Sequence, residues 1–300
     1  MSLPTLLLTG CDGQLGIAFH DYWQDSILAD SYKLARAGKG TLDISNVNEV
    51  IGYLTEVRPR VIVNTAAYTK VDDAEADIES AYKVNEKGVE NLVSWCELNS
   101  CKLIHISTDF VFDGKASSPY QTDAHTNPIC VYGASKLSGE RHVLRRLPSK
   151  GFVVRTSWLY SEYGHNFVKT MLRLMSDARD VRVISDQVGS PTSVHTLCGF
   201  IAELIRAENS PGIYHFTDGG EVSWYEFAVA IKDLAIEAGL LPRQPKIISV
   251  TSAEFPTAAR RPAYSVLDVS VLKPGTKRRR DGWRTELLNV LERIKASPFK

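Results

Sequence analysis

The chain has 300 residues, of which 35 are basic and 35 acidic, so its formal net charge is zero and no global field directs it toward nucleic acid or an anionic membrane. Hydrophobic residues make up 44% and charged residues 23%, which is typical of a soluble globular protein and excludes disordered, collagen-like and coiled-coil chains. This length predicts two closely packed domains with a sizeable core, and the neutral composition favours a small-molecule partner.

The cysteines and the N-terminus predict a cytoplasmic protein. Five cysteines are present, an odd number without a CxxC pair, which suits a reducing compartment better than a disulfide framework. The N-terminus lacks a basic region, its apolar stretch is too short for a signal peptide, and no later run approaches the length of a membrane span. A basic run at 277–280 is interpreted as a solvated loop, so neither a membrane nor nucleic acid is expected as a partner.

Apolar strands alternate with amphipathic helices through the first half of the chain. Strands are predicted at Thr5–Thr9, Tyr32–Arg36, Val61–Asn64, Lys102–Ser107 and Phe152–Thr156. Helices are predicted at Gln14–Trp23, Asn46–Val57, about Glu75–Leu98 and about Val131–Arg146. Continuous apolar strands linked by helices indicate a parallel sheet that is covered on both faces. The predicted fold class is therefore α/β, a Rossmann-type doubly wound parallel sheet with a smaller C-terminal lobe.

The pattern becomes less regular after Trp158. Helices are predicted at 166–175, 193–207, 224–238 and 283–295, and extended segments at 181–184 and 212–216. Prolines are frequent between 242 and 274 and break that stretch into loops. We therefore predict a dinucleotide-binding domain at 1–157, followed by a mixed region at 158–300 that completes the sheet and forms a substrate-binding lobe.

Three glycines follow the first predicted strand directly and open the first helix. The segment reads LLLTGCDGQLG and contains Gly10, Gly13 and Gly16. Glycines at such a turn allow the backbone to approach a pyrophosphate, whose charge then lies at the helix N-terminus. The spacing differs from GxGxxG, and a plain strand–helix connection remains the alternative interpretation.

A tyrosine and a lysine lie four residues apart on the helix predicted near 131–146. Tyr132 and Lys136 therefore share one helix face, and an ammonium beside a phenol is expected to lower the phenol pKa from about 10. A solvated surface pair is the alternative. The order of parts favours a catalytic role, because Thr108 ends the fourth strand at the sheet edge where ligands bind in such folds.

At this point the sequence resembles the extended short-chain dehydrogenase/reductase superfamily, whose catalytic set is Ser/Thr, Tyr and Lys. Longer strings make the resemblance more specific, because together they are similar to the dTDP-4-dehydrorhamnose reductase family. These strings are NTAAYTKVDDAE (64–75), VNEKGVENL (84–92), STDFVFDG (107–114), YGASKLSGE (132–140), TSWLY (156–160), DQVGSPT (186–192) and RRPAYS (260–265). They span most of the chain.

The resemblance implies three sets of site residues. The catalytic set is Thr108, Tyr132 and Lys136. The cofactor set is Gly10, Gly13, Gln14, Leu15, Gly16, Asp43, Ile44, Asn64, Ala66, Ala67, Tyr132 and Lys136. The substrate set is Thr108, Asp109, Phe110, Trp158 and Arg260. Some relatives are reported to use magnesium at a dimer contact, but no motif places such ligands here, so no metal site is assigned; a homodimer is left open.

The residues after the second strand indicate the cofactor. Many nucleotide-binding folds carry a carboxylate there that accepts hydrogen bonds from the ribose of NAD. This chain reads Leu34-Ala35-Arg36-Ala37, and Arg36 would suit a 2′-phosphate. NADPH is therefore the expected cofactor and NADH the alternative. The other interpretation of Arg36 is an arginine that only caps the end of the strand and does not bind the cofactor.

The implied reaction is reduction of the C4 ketone of dTDP-4-dehydro-L-rhamnose to give dTDP-L-rhamnose. Under this hypothesis Tyr132 donates a proton, Thr108 hydrogen-bonds the carbonyl oxygen, and Lys136 tunes Tyr132 and holds the nicotinamide ribose. Arg260 or Arg261 would pair with the diphosphate of the nucleotide-sugar substrate.

Two other classes of function share these motifs. Related sugar-nucleotide dehydratases and epimerases retain their cofactor; the dehydratases carry Asp-Glu after the Thr, whereas this chain has Asp109-Phe110. Phenylalanine can neither accept nor donate the proton that elimination of water requires. The second class is a non-catalytic regulatory subunit similar to that of methionine adenosyltransferase, which would copurify with a partner protein.

Overall fold

The computed structural model describes residues 3–177, 180–206, 210–241, 244–270 and 282–296. The basic run at 277–280 lies outside these residues, as do the prolines at 242 and 274. None of the described helices is long and apolar enough to cross a membrane. Within the same ranges, no group of three or more His, Cys, Asp and Glu side chains is arranged to hold a metal ion.

Six parallel strands form the central sheet, which confirms the predicted fold class. In chain order the first five are β1 (Thr5–Thr9), β2 (Lys33–Ala37), β3 (Pro59–Asn64), β4 (Lys102–Thr108) and β5 (Gly151–Thr156). Short strands follow: β6 (Leu159–Tyr160), β7 (Val181–Ile184), β8 (Val188–Gly189), β9 (Thr192–Ser193), β10 (Gly212–His215), β11 (Val222–Ser223) and β12 (Ile247–Val250). The strand order across the main sheet is β10-β5-β4-β3-β1-β2.

The helices cover both faces of this sheet. They are α1 (Gln14–Gln24), α2 (Val47–Val57), α3 (Asp73–Ala76), α4 (Ile78–Tyr82), α5 (Val89–Asn99), α6 (Val131–Arg146), α7 (Phe167–Ser176), α8 (Val194–Arg206), α9 (Trp224–Glu237) and α10 (Trp283–Ala296). Leu6 and Leu8 of β1 are fully buried among side chains from α1 and α8, and Leu7 is fully buried on the opposite face with α2, α5 and α6. Burial on both faces explains why the strands are apolar throughout.

The prediction of one long helix near Glu75–Leu98 is wrong. Asp77 interrupts it with a non-helical backbone, and its side chain accepts a hydrogen bond from the Ser80 amide to begin α4. A π-helical segment, Lys83–Gly88, then leads into α5. The π segment contains Asn85, which is almost fully buried and hydrogen-bonded to the backbone of Tyr68. Tertiary contacts therefore override the periodicity that predicted one helix.

The topology places a crevice at the carboxyl ends of the strands. The chain leaves β1 for β2 on one side and returns to β3 on the other, so β1 and β3 are neighbours at a switch point. Ligands of open α/β sheets bind at such a point. The sixth strand, β10, comes from the second half of the chain and pairs with β5. A separate core with Tyr160, Phe227 and Leu287 lies under α7, α9 and α10. The predicted division after residue 157 stays a prediction.

Candidate active site

The glycine turn after β1 forms the floor of a cleft of about 760 Å³. Gly10 has a φ of +67°, and a Cβ there would lie 2.5 Å from the Ala66 amide nitrogen. A Cβ on Gly16 would lie 2.5 Å from the Gly10 carbonyl oxygen. Gly10 therefore allows the turn to pack against the loop after β3, and Gly16 allows α1 to pack against the turn. Gly13 is exposed and is the N-cap of α1.

The turn and the start of α1 fit an anionic ligand. Gly13 offers no capping side chain, and the first turn of α1 contains no acidic residue. The turn residues line the cleft, so the positive end of the helix dipole faces it. The predicted cofactor residues that line this cleft are Gly10, Gly13, Gln14, Leu15, Gly16, Asp43, Ile44, Ala66, Ala67, Tyr132 and Lys136. Residues from the glycine turn, the loops after β2 and β3, and helix α6 are thus brought to one surface.

Two predicted cofactor residues, Asn64 and Arg36, are not part of the cleft lining. Asn64 is fully buried, and its contact with the cofactor stays a prediction. Its Oδ1 accepts hydrogen bonds from Thr9 Oγ1 at 2.7 Å and from the Ala66 amide at 3.2 Å, and its Nδ2 lies 3.0 Å from His105 Nδ1. Asn64 therefore holds the loop that lines the cleft.

Two further polar side chains shape the cleft: Asn85, which the sequence did not single out, and the predicted cofactor residue Gln14. Asn85 fixes the Tyr68 backbone through both amide atoms and donates to Ser135 Oγ on α6 at 3.0 Å. Gln14, whose Nε2 donates to the Leu159 carbonyl at 3.3 Å, connects the turn to the second half of the chain. Leu159 lines the cleft together with Gly164 and His165.

Lys136 is buried at the back of the cleft. Its Nζ donates to the Ile106 carbonyl of β4 at 2.6 Å. Burial lowers the pKa of this lysine to about 8, while the Glu140 carboxylate acts in the opposite direction. The ammonium is therefore largely retained at neutral pH but is lost as the pH rises through about 8.

The pKa of Tyr132 is raised in the structure, whereas the sequence predicted that it would be lowered. Burial raises this pKa above the usual value, the Asp109 carboxylate raises it further, and a hydrogen bond with Thr108 lowers it. The direction is opposite to the lowering expected from the spacing to Lys136, because loss of water around a phenol disfavours the phenolate and so raises its pKa. A raised pKa keeps Tyr132 protonated at neutral pH, as a proton donor requires. Its ring packs edge-on against Phe110, with centroids 5.6 Å apart.

Thr108 and Asp109 form a tight turn at the end of β4. Thr108 Oγ1 accepts from the Phe110 amide at 3.2 Å and donates to Asp109 Oδ1 at 3.1 Å. Burial raises the pKa of Asp109 to about 6, against hydrogen bonds with Ser265 and Thr108 that lower it. Helix α6 packs directly on this turn, since a Cβ on Gly133 would lie 2.1 Å from the Phe110 carbonyl oxygen. The glycine in YGASK is thus what lets Tyr132 approach Thr108.

A buried ion pair lies one helical turn below Lys136. Glu140 is fully buried, and its carboxylate accepts hydrogen bonds from Arg155 Nη2 at 2.7 Å and from Arg155 Nε at 3.0 Å. Ser107 Oγ donates to the same carboxylate at 2.5 Å. This network connects α6, β4 and β5 directly beneath the Tyr132–Lys136 face. Sequence reasoning missed Glu140, although its position four residues after Lys136 was a usable signal.

Three of the segments that carry the family resemblance, 107–114, 186–192 and 260–265, are in contact with one another. Gly114 has a φ of +78°, and a Cβ there would lie 2.6 Å from Pro262 Cα. The Val188 amide donates to the Ala263 carbonyl at 2.8 Å, and the Ser265 amide donates to the Val188 carbonyl at 2.8 Å. The segments 107–114, 186–192 and 260–265 are therefore one structural unit.

The remaining predicted substrate residues have different surroundings. Trp158 has a φ of +48° and stacks on Trp224 with ring centroids 3.4 Å apart, so packing occupies one face of its indole. Arg261 Nη2 pairs with Asp72 Oδ2 at 2.5 Å, whereas Arg260 is exposed. Of the two arginines considered for a phosphate, Arg260 has the more accessible guanidinium. The predicted roles of Trp158 and Arg260 stay predictions.

The corner of the cleft next to β2 contains both signs of charge. Lys39 and Asp12 line the cleft, and neither was singled out from the sequence. Arg36 is exposed and close to Cys11, since its guanidinium lowers a thiol pKa that burial raises. Arg36 is not among the described residues that line the cleft, and its contact with a 2′-phosphate stays a prediction.

Comparisons with known proteins identify relatives of this chain. A family model described as the RmlD substrate binding domain matches residues 4–296. The chain is 40% identical to dTDP-4-dehydrorhamnose reductase of Aggregatibacter actinomycetemcomitans over 96% of this chain and 98% of that one. It is 36% identical to the Bacillus subtilis spore coat polysaccharide biosynthesis protein SpsK, over 97% of this chain and 98% of that one.

Solved structures extend the likeness to the fold. A dTDP-4-dehydrorhamnose reductase from Clostridium acetobutylicum superposes with a TM-score of 0.90 at 36% identity, covering 97% of this chain and 99% of that one. The dTDP-4-dehydrorhamnose reductase from Bacillus anthracis, solved in complex with NADP, superposes with a TM-score of 0.88 at 37% identity, covering 97% of this chain and 100% of that one. A dTDP-glucose 4,6-dehydratase at 17% identity shares the fold alone. The chain belongs to the dTDP-4-dehydrorhamnose reductase family of oxidoreductases.

Proposed function

We propose that this protein reduces the C4 ketone of dTDP-4-dehydro-L-rhamnose to dTDP-L-rhamnose with NADPH. The observation that carries the proposal is the position of Tyr132 and Lys136 in the wall of the dinucleotide cleft, with Thr108 next to Tyr132. A relative that is 37% identical was crystallised with NADP, which supports the choice of cofactor.

The glycine turn fits the pyrophosphate of such a cofactor. Gly10 and Gly16 allow the close backbone packing, and the uncapped N-terminus of α1 would hold the negative charge. Lys136 would hold the ribose next to the nicotinamide. When bound, the reduced nicotinamide supplies the hydride that adds to the sugar carbonyl carbon.

Tyr132 supplies the proton that balances the reaction. The carbonyl carbon gains a hydride, the oxygen becomes an alkoxide, and the phenol transfers its proton to that oxygen. The raised pKa of Tyr132 keeps the proton available at neutral pH. The Thr108 hydroxyl, which now donates to Asp109, would turn to the oxygen and stabilise the developing charge. The buried ammonium of Lys136 offsets the phenolate that remains until solvent reprotonates it.

Asp109 and Arg260 are proposed as substrate contacts. Asp109 directly follows β4 and accepts a hydrogen bond from Thr108, which supports a role as acceptor of a hydrogen bond from a sugar hydroxyl. Arg260 is exposed on the structural unit that contains segments 107–114, 186–192 and 260–265, so its guanidinium is accessible to a diphosphate, which supports this assignment.

A substrate panel tests the proposal. Oxidation of NADPH is followed at its absorbance band with several nucleotide-linked 4-dehydro sugars, and dTDP-glucose with catalytic NAD is analysed by chromatography. We expect oxidation that is fastest with dTDP-4-dehydro-L-rhamnose, and we expect dTDP-glucose to stay unchanged because Phe110 replaces one acid/base group that elimination needs. Formation of a 4-dehydro-6-deoxy product from dTDP-glucose at enzymatic rates would support the dehydratase hypothesis instead. A protein that copurifies tightly while NADPH is not oxidised would support the regulatory one.

A further inference from the structure

The structure places a carboxylate at the end of β2, although residues 38–42, which directly follow that strand, include none. Gly38 directly follows β2 and is buried. A Cβ on Gly38 would lie 1.7 Å from Asp12 Oδ2, so the Asp12 carboxylate covers the Gly38 backbone. The carboxylate comes from the glycine turn, 26 positions earlier in the numbering.

Two further contacts fix this arrangement. The Cys11 amide donates to the Ala37 carbonyl of β2 at 3.3 Å, which connects the glycine turn to the strand end. Cys11 Sγ donates to Asp12 Oδ1 at 3.4 Å. Asp12 is exposed toward the cleft that it lines, so its carboxylate is available to a ligand there.

A cation occupies the same corner. Lys39 lies one residue beyond Gly38, is exposed, and lines the cleft with Asp12. In dinucleotide folds the end of β2 is where the ribose 2′ position is read: a carboxylate accepts hydrogen bonds from ribose hydroxyls, and a basic residue accommodates a 2′-phosphate. This chain carries the Asp12 carboxylate there and, besides Arg36, a second basic residue, Lys39.

We propose that Asp12 and Lys39 adjust the cofactor preference of this enzyme in addition to the predicted contact of Arg36, with Asp12 favouring NADH and Lys39 favouring NADPH. The inference rests on the proposed function, because it concerns the cofactor of that same cleft. The Asp12 carboxylate can accept hydrogen bonds from the 2′- and 3′-hydroxyls of NADH but repels the dianionic 2′-phosphate of NADPH. The Lys39 ammonium attracts that phosphate. The wild-type protein therefore binds both cofactors, with a preference for NADPH that Asp12 limits.

Binding titrations without sugar substrate test this proposal. The dissociation constants of NADPH and NADH are measured by nicotinamide fluorescence for the wild type, Asp12→Asn and Lys39→Met. Asp30→Asn and Lys33→Met serve as matched controls, because both residues are exposed near β2 and outside the cleft lining. We expect Asp12→Asn to raise the affinity ratio of NADPH to NADH at least tenfold, and Lys39→Met to lower it at least tenfold. The controls should change the ratio less than twofold.

The outcomes separate this inference from the proposed function. An unchanged ratio in Asp12→Asn, with both cofactors still bound, overturns the inference and leaves the reductase proposal intact. A shifted ratio in a protein that reduces no 4-dehydro sugar supports the inference and overturns the reductase proposal. A wild type that binds neither cofactor overturns both.

Discussion

Replacing Tyr132 by phenylalanine is expected to lower turnover of the 4-dehydro sugar by about 10²–10⁴-fold, the usual contribution of a general acid. The variant loses only the hydroxyl that donates the proton. Its ring keeps the edge-on contact with Phe110, so the packing of α6 on the Thr108 turn is retained. The dissociation constant of NADPH should therefore change little. Turnover and cofactor binding are measured separately, by NADPH oxidation and by fluorescence titration.

Tyr225→Phe is a suitable control for this measurement. Tyr225 is half-buried on α9 in the core of the second half, outside the cleft lining. Its loss of a hydroxyl should leave turnover unchanged. A Tyr132→Phe enzyme within about twofold of wild type would contradict the assignment of the proton donor.

Replacing Glu140 by glutamine is expected to lower the free energy of unfolding by about 3–5 kcal/mol, the cost of breaking a buried ion pair on one side. The variant leaves the Arg155 guanidinium buried without its carboxylate partner. Both side chains have almost no exposed surface, so water cannot replace the lost interaction. Denaturant unfolding measures the change.

An exposed ion pair provides the matched control. Arg146 Nη2 lies 2.6 Å from Glu97 Oε2, but the two side chains are 26% and 44% exposed. Glu97→Gln should therefore cost less than about 1 kcal/mol. The double variant Glu140→Leu/Arg155→Met should recover part of the lost free energy of unfolding, because no unpaired buried charge remains. A Glu140→Gln loss no larger than that of Glu97→Gln would contradict the account of this ion pair.

The strands of the sheet could be predicted within about two residues because continuous apolar runs need no tertiary information. The interruption of the helix predicted near Glu75–Leu98 could not be predicted in the same way, because it depends on Asp77 and on the contacts of Asn85 with a distant loop. Each of these residues is compatible with a helix when only its neighbours in sequence are considered. The error therefore comes from long-range contacts.

The candidate site shows the same limit. Spacing alone placed Tyr132 and Lys136 on one face, and the structure puts both in the cleft wall. Spacing could not give the direction of the Tyr132 pKa, since burial of the phenol is a property of the folded chain. It also could not show that Asp12 lies over Gly38, because that contact depends on how the glycine turn meets β2. Asn64 was predicted as a cofactor contact, but it is fully buried behind the loop.

Transfer of an isotopic label tests the central claim most directly. The protein is incubated with dTDP-4-dehydro-L-rhamnose and NADPH carrying deuterium at the transferable position of the nicotinamide, and the product is analysed by NMR and mass spectrometry. The account predicts one NADPH oxidised per sugar reduced, with the deuterium at C4 of dTDP-L-rhamnose. Recovery of unchanged 4-dehydro sugar and NADPH, from a protein shown to bind both, would contradict it.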